Sequence, residues 1–178
     1  MEKHEIRLSG SGGQGLLLAG IILAEAAIND GKNAVQTQSY GPEARGGASK
    51  SEVLISDDVI DFPKVRNCDV LLALTQKSYD QYNEGLKDDG ILIIDNSVTV
   101  APDLKNKVYS VPILDTASKV LGKPMVTNIV ALGAIIEVTK LVSSTALETA
   151  VLSRVPKGTE ELNKKALALG YEIAKNAM

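Results

Sequence analysis

The sequence predicts an α/β fold, a Rossmann-like and mostly parallel sheet flanked by helices, and three observations carry that expectation. Residues 6–8 form a short apolar strand that runs through Gly10 Ser11 Gly12 Gly13 Gln14 Gly15 into a helix over 16–29, apolar on nearly every face. Two aliphatic runs, Val70 Leu71 Leu72 Ala73 Leu74 and Ile91 Leu92 Ile93 Ile94, suit strands buried on both faces. Between them residues 76–86 read as helical, and strand, helix, strand is the crossover unit of a parallel sheet.

Taken in order, the first helix stops at Asp30 Gly31, and a second strand covers 33–40. Residues 49–55 and 59–62 flank Ser56 Asp57 Asp58, which predicts an antiparallel hairpin appended to the sheet. Strands over 69–75, 90–95 and 108–111 follow, and the last third is helical over 115–121, 125–141, 144–153 and 159–176. Thr145 with Glu148 reads as a capping box, and Thr159 followed by Glu160 and Glu161 puts carboxylates on a helix N-terminus. In that last helix Leu162, Ala166, Leu169 and Ile173 recur at helical spacing, leaving Lys164, Lys165 and Lys175 to water or a partner.

Composition narrows the function. The length, 178 residues, fits one domain over 1–178. With 19 basic and 22 acidic residues the net charge is -3, so no overall positive field exists to hold a nucleic-acid backbone. Apolar residues make up 44% but aromatics only 3%, with no Trp, so the core must be aliphatic and stacking platforms are excluded. Cys68 is the only cysteine, which excludes a disulfide framework, a zinc knuckle and a four-thiolate cluster built by this chain alone. Residues 1–5 pass directly into a strand without a leader, and the stretch 16–28 is interrupted by Gly20 and Glu25. A cytoplasmic protein with no membrane span is expected.

The chemistry concentrates in two loops. Gly10, Gly12 and Gly15 fit GxGxxG after a strand and at the opening of a helix, where backbone N–H groups and the helix dipole favour an anion such as a diphosphate. The competing reading is that these glycines only let the helix pack closely on the sheet. A nicotinamide site wants an acid about 20 residues further on, yet the sequence there is Ala34 Val35 Gln36 Thr37 Gln38. A Walker loop is excluded because Gln14 Gly15 Leu16 replaces its lysine and hydroxyl.

The second loop is Ser39 Tyr40 Gly41 Pro42 Glu43 Ala44 Arg45 Gly46 Gly47, near the carboxyl edge of the sheet, where ligands of open α/β sheets collect. Arg45 offers a planar fork to a carboxylate or phosphate, with Glu43 placed to orient it; the plain alternative is a surface loop with an incidental ion pair. Thr75, Gln76, Lys77, Asp95 and Asn96 also end strands, as polar residues commonly do. Asn128 reads as a cap or a satisfied core amide, Cys68 as a small apolar residue, and His4, the one histidine, as solvated. No Ser-His-Asp triad can be built around it.

The two loops, Gly10 to Gly15 and Ser39 to Gly47, together resemble those of the gamma subunit of the 2-oxoacid:ferredoxin oxidoreductases, and the likeness runs over essentially the whole chain. The continuation Ala48 Ser49 Lys50 Ser51 Glu52 is more similar to the 2-oxoglutarate branch than to the pyruvate branch. The resemblance implies oxidative decarboxylation of a 2-oxoacid with acyl transfer to coenzyme A and electrons passed to ferredoxin. It also implies thiamine diphosphate, Mg and iron-sulfur clusters on partner alpha, beta and ferredoxin-like delta subunits; the chain itself has no Gly-Asp-Gly thiamine signature. It is compatible with a dimer of the isolated chain, and it assigns no catalytic or metal-binding residue here. It implies a coenzyme A loop at Gly10, Ser11, Gly12, Gly13, Gln14 and Gly15, and a wall shared with a catalytic subunit at Tyr40, Gly41, Glu43, Arg45 and Gly46. A free-standing NAD or FAD enzyme and a pure scaffold remain the alternatives.

Overall fold

The computed structural model describes residues 2–38 and 47–178. A six-stranded sheet has the order β2-β3-β1-β4-β5-β6, where β1 is Lys3–Gly10, β2 Asn33–Gln38, β3 Ser49–Ser56, β4 Cys68–Ala73, β5 Leu86–Asp95 and β6 Lys107–Val111. β1, β4, β5 and β6 pair in parallel, and β3 is antiparallel to both of its neighbours. The helices are α1 Leu16–Asn29, α2 Gln76–Tyr82, α3 Ile113–Asp115 continuing as a π-helical turn over Thr116–Val120, α4 Thr127–Thr139, α5 Ser144–Arg154 and α6 Glu160–Ala177.

The strands alternate between two aliphatic cores. Ile6, Leu8, Val70, Leu72 and Ile93 face the larger one, packed by α1, α4, α5 and α6. Leu54, Leu71, Ala73, Leu92 and Ile94 face the smaller one with Tyr79 and Tyr82 of α2. Burial on both faces is why β4 and β5 read as unbroken aliphatic runs. α4 is buried from Thr127 through Glu137, so it too carries no polar face.

The expected hairpin is corrected. The antiparallel element lies inside the sheet, β3 between β1 and β2, and residues 59–62 form no strand; Val59 is 79% and Phe62 43% exposed. The reason is partnership: β3 already has β1 on one side and β2 on the other, so Ser56 Asp57 Asp58 ends a strand instead of returning one.

The capping box expected at Thr145 and Glu148 does not form, both residues lying inside α5. Ser143 caps α5, its Oγ accepting from the Ala146 N–H at 3.1 Å. Ser143 in turn donates its N–H and Oγ to Asp30 at 2.6 and 2.8 Å, which ties the start of α5 to the end of α1. On α6 the acids take the N-terminal turn as expected, but the buried stripe is Asn163, Ala166, Leu167, Gly170 and Ala174. Leu162, Leu169 and Ile173 flank it half-buried, because the helix turns its smallest residues toward α4.

Candidate anion site at the glycine turn

The turn between β1 and α1 is built where the sequence placed it. Gly13 and Gly15 have φ of 85° and 74°, the left-handed region that side chains other than glycine enter at a cost. A Cβ on Gly15 would also come within 2.6 Å of Asn128 Nδ2, whereas Gly12 has nothing within 4 Å in that direction. The Gly15 carbonyl accepts from the Ala19 N–H at 3.0 Å and from Asn128 Nδ2 at 3.2 Å. Asn128 is therefore the satisfied amide expected, and it pins the start of α4 to the turn.

α1 has no side-chain cap and no acid in its first turn, so no group of its own opening turn offsets the positive end of its dipole. The N–H groups of Gly12 and Gly13 have no acceptor among the described residues. Ser11 differs: its N–H donates to Gln14 Oε1 at 2.8 Å. The Gln14 oxygen thus closes one corner of the turn itself, leaving its Nε2 as the part of the side chain open to a ligand. A Cβ on Gly10 would strike that same oxygen, which gives this glycine a packing role. Beside the turn, sharing Asn128 as a wall, lies an apolar cleft of about 200 Å³ between Leu18, Met125, Val155 and Leu162.

Ser49, the first residue of β3, pairs with Gly10, so the start of β3 stands beside the turn. Tyr40, Gly41, Glu43, Arg45 and Gly46 lie outside the described residues. Of the other polar strand ends, Thr75, Gln76 and Asp95 are occupied structurally. Thr75 and Ser78 form the capping box of α2, Gln76 holds both backbone groups of Thr99, and Asp95 accepts from Ser97 and the Leu114 N–H. His4 stands 3.7 Å from Glu2 at the far end of β1.

One buried group escaped sequence reading. Arg7, 7% exposed, bonds Glu52 through Nε and Nη2, both at 2.7 Å, and stands 5.7 Å from the Tyr82 ring. The available signal was the charge at the centre of Ile6 Arg7 Leu8, which alternation sends to the opposite face from its neighbours. Nearby, burial pushes the Cys68 thiol from 9.0 up to about 11, with Arg7 pulling it the other way. Iodoacetamide at about pH 8 should leave native Cys68 unmodified by mass spectrometry and label it once the chain is unfolded. The unfolded thiol ionises first, so this group's contribution to stability is complete below pH 9.0 and lost as pH climbs toward 11.

Comparison with known proteins places this geometry in a family. The profile of the pyruvate ferredoxin/flavodoxin oxidoreductases matches residues 5–173. The chain belongs to that family. It is 52% identical over 177 residues to the 2-oxoglutarate synthase subunit KorC of Methanocaldococcus jannaschii, covering 97% of this chain and 95% of the relative. To the pyruvate synthase subunit PorC of Methanothermobacter marburgensis it is 33% identical over 176 residues, covering 97% and 98%. The crystal structure of a keto/oxoacid ferredoxin oxidoreductase gamma subunit from Geobacter sulfurreducens superposes with a TM-score of 0.92 at 51% identity, covering 99% of both chains. Among the described residues no helix is long and apolar enough to cross a membrane.

Proposed function

We infer that this chain is the gamma subunit of a 2-oxoglutarate:ferredoxin oxidoreductase, the complex that converts 2-oxoglutarate, coenzyme A and oxidised ferredoxin to succinyl-CoA, carbon dioxide and reduced ferredoxin. The 52% identity to a 2-oxoglutarate synthase subunit against 33% to a pyruvate synthase subunit supports the substrate. Thiamine diphosphate with Mg and the iron-sulfur clusters then reside on alpha, beta and ferredoxin-like delta subunits, consistent with Cys68 being this chain's only thiol. Within the complex its part is to hold coenzyme A, and it carries out no chemical step alone.

The observation that carries the ligand role is the glycine turn: an uncapped helix N-terminus where the Gly12 and Gly13 amides have no acceptor among the described residues. Those amides suit the diphosphate of coenzyme A, with Gly10 and Gly15 fixing the shape of the turn and Ser11 and Gln14 closing its corner. The Tyr40, Gly41, Glu43, Arg45 and Gly46 segment supplies the wall toward the catalytic subunit.

Gly12→Asp tests this cleanly, because its Cβ meets nothing within 4 Å and only the electrostatics of the turn change. In the assembled complex the apparent affinity for coenzyme A should fall by about tenfold or more while the half-saturating 2-oxoglutarate concentration holds. Unchanged coenzyme A affinity in an intact complex would reduce the turn to packing. Turnover of 2-oxoglutarate by the isolated chain would overturn the subunit assignment.

A further inference from the structure

At the end of the sheet opposite the glycine turn, one length of β1 (~25 Å) away, an open cleft of about 430 Å³ is walled by Lys3, Phe62, Lys64, Arg66 and Lys87, with Glu5 as its one acid. The cations are of two kinds. Lys3 and Lys87 are answered: Glu5 lies 3.9 Å from Lys3 and 3.5 Å from Lys87, and Asp69 holds Lys87 at 2.7 Å. Lys64 and Arg66 have no carboxylate partner among the described residues, although Asp57, Asp58 and Asp61 belong to the same connecting segment. The lining of the cleft itself is therefore cationic, Lys3, Lys64, Arg66 and Lys87 against Glu5, on a chain whose net charge is -3.

The same segment exposes apolar surface. Phe62 is 43% and Val59 79% exposed, and the Arg66 guanidinium stands 4.5 Å from the centre of the Phe62 ring. The platform is fixed in place, because Val65, between Lys64 and Arg66, is buried and its carbonyl accepts from Arg7 Nη2. An aromatic ring against an arginine, rimmed by lysine, is the composition of a protein-binding patch. A small polyanion fits less well: inside the cleft it would face the Glu5 carboxylate, and it would leave Phe62 and Val59 uncovered.

We propose that this face docks an acidic segment of another polypeptide of the complex, its carboxylates on Lys64 and Arg66 and an apolar side chain on Phe62. The proposal rests on the chain working inside a multi-subunit complex, but it does not depend on coenzyme A binding at the turn.

The test uses the full chain reconstituted with its partner subunits. Lys64→Glu with Arg66→Glu should weaken assembly about tenfold or more at about 50 mM salt, with the difference shrinking at about 300 mM; Lys123→Glu, at an exposed position elsewhere, should not. Carbodiimide treatment of the native complex should join Lys64 to an Asp or Glu of another polypeptide. The proposal is overturned if assembly of the double variant is unchanged, or if Lys64 is acetylated as fast in the complex as alone. Protection of Lys64 by inorganic tripolyphosphate in place of a partner would likewise overturn it and mark a small-anion site. Because the Gly12→Asp readout is coenzyme A affinity and this one is assembly, the two proposals fail separately.

Discussion

Replacing Glu52 with alanine is expected to remove about 3–5 kcal/mol of stability, because it strands a buried guanidinium. Glu52 Oε2 receives both Nε and Nη2 of Arg7 at 2.7 Å. Without it Arg7 keeps a long 3.4 Å contact to the Val65 carbonyl and the Tyr82 ring at 5.7 Å. Neither compensates a full charge that is 7% exposed. The loss would be a large part of the roughly 5–15 kcal/mol by which domains are usually stable. Urea unfolding measures it, and a change under about 1 kcal/mol would mean that water reaches the guanidinium. The companion experiment is Arg7→Met with Glu52→Leu, which removes both charges together and should recover most of the loss, since a buried pair contributes little net stability. Gly85 shows how closely the site is fitted: a Cβ there would strike Arg7 Nη1.

The parallel part of the sheet was readable because its residues repeat one physical condition. β4 and β5 are covered on both faces, so each run is aliphatic throughout, and α1 is bounded at both ends by glycine turns. The place of β3 was not readable. Ser49 Lys50 Ser51 Glu52 has no aliphatic side chain, yet Ser51 is fully buried, packed where Gly20 of α1 leaves no room for a Cβ, and Glu52 is committed to Arg7. Such burial follows from partners far away in sequence, which local pattern does not report. Val59 and Phe62 misled for the opposite reason, being apolar residues left at the surface.

Glycine spacing and strand-to-helix order were enough to place the turn, which forms there with Gly13 and Gly15 in left-handed conformations. They did not reveal how the turn's own groups are divided. Gln14 bonds Ser11 within the loop, while Asn128, 113 residues from Gly15, reaches back to its carbonyl. Both are polar side chains spent on backbone groups, a use that residue identity alone does not separate from ligand binding. The same applies to Gln76 and Asp95, which the sheet-edge rule offers as ligand contacts but hydrogen bonding assigns to the scaffold.

Gly170→Ala is expected to destabilise the protein by about 2 kcal/mol, although alanine in a helix interior normally gains up to ~1 kcal/mol over glycine. The added Cβ would collide with the Val130 carbonyl oxygen and lie 3.0 Å from Gly133 Cα and 3.1 Å from the Val130 carbonyl carbon. All three are backbone atoms of α4, so no side chain can rotate away, and α4 and α6 must part. That separation opens the larger core along Leu167 and Ala174. For a chain of this length the melting temperature should fall by about 4–8 °C in a calorimetric scan. Gly133→Ala should act alike, since its Cβ would lie 2.6 Å from the Leu167 carbonyl oxygen. Combining the two should cost less than their sum, because the helices part only once. Gly158→Ala separates this cause from ordinary backbone strain: φ there is 90°, but nothing lies within 4 Å of the new Cβ. It should lose only the roughly 1–2 kcal/mol of a left-handed alanine and leave the helix pair in place. A melting temperature raised by Gly170→Ala would show that the two backbones do not touch.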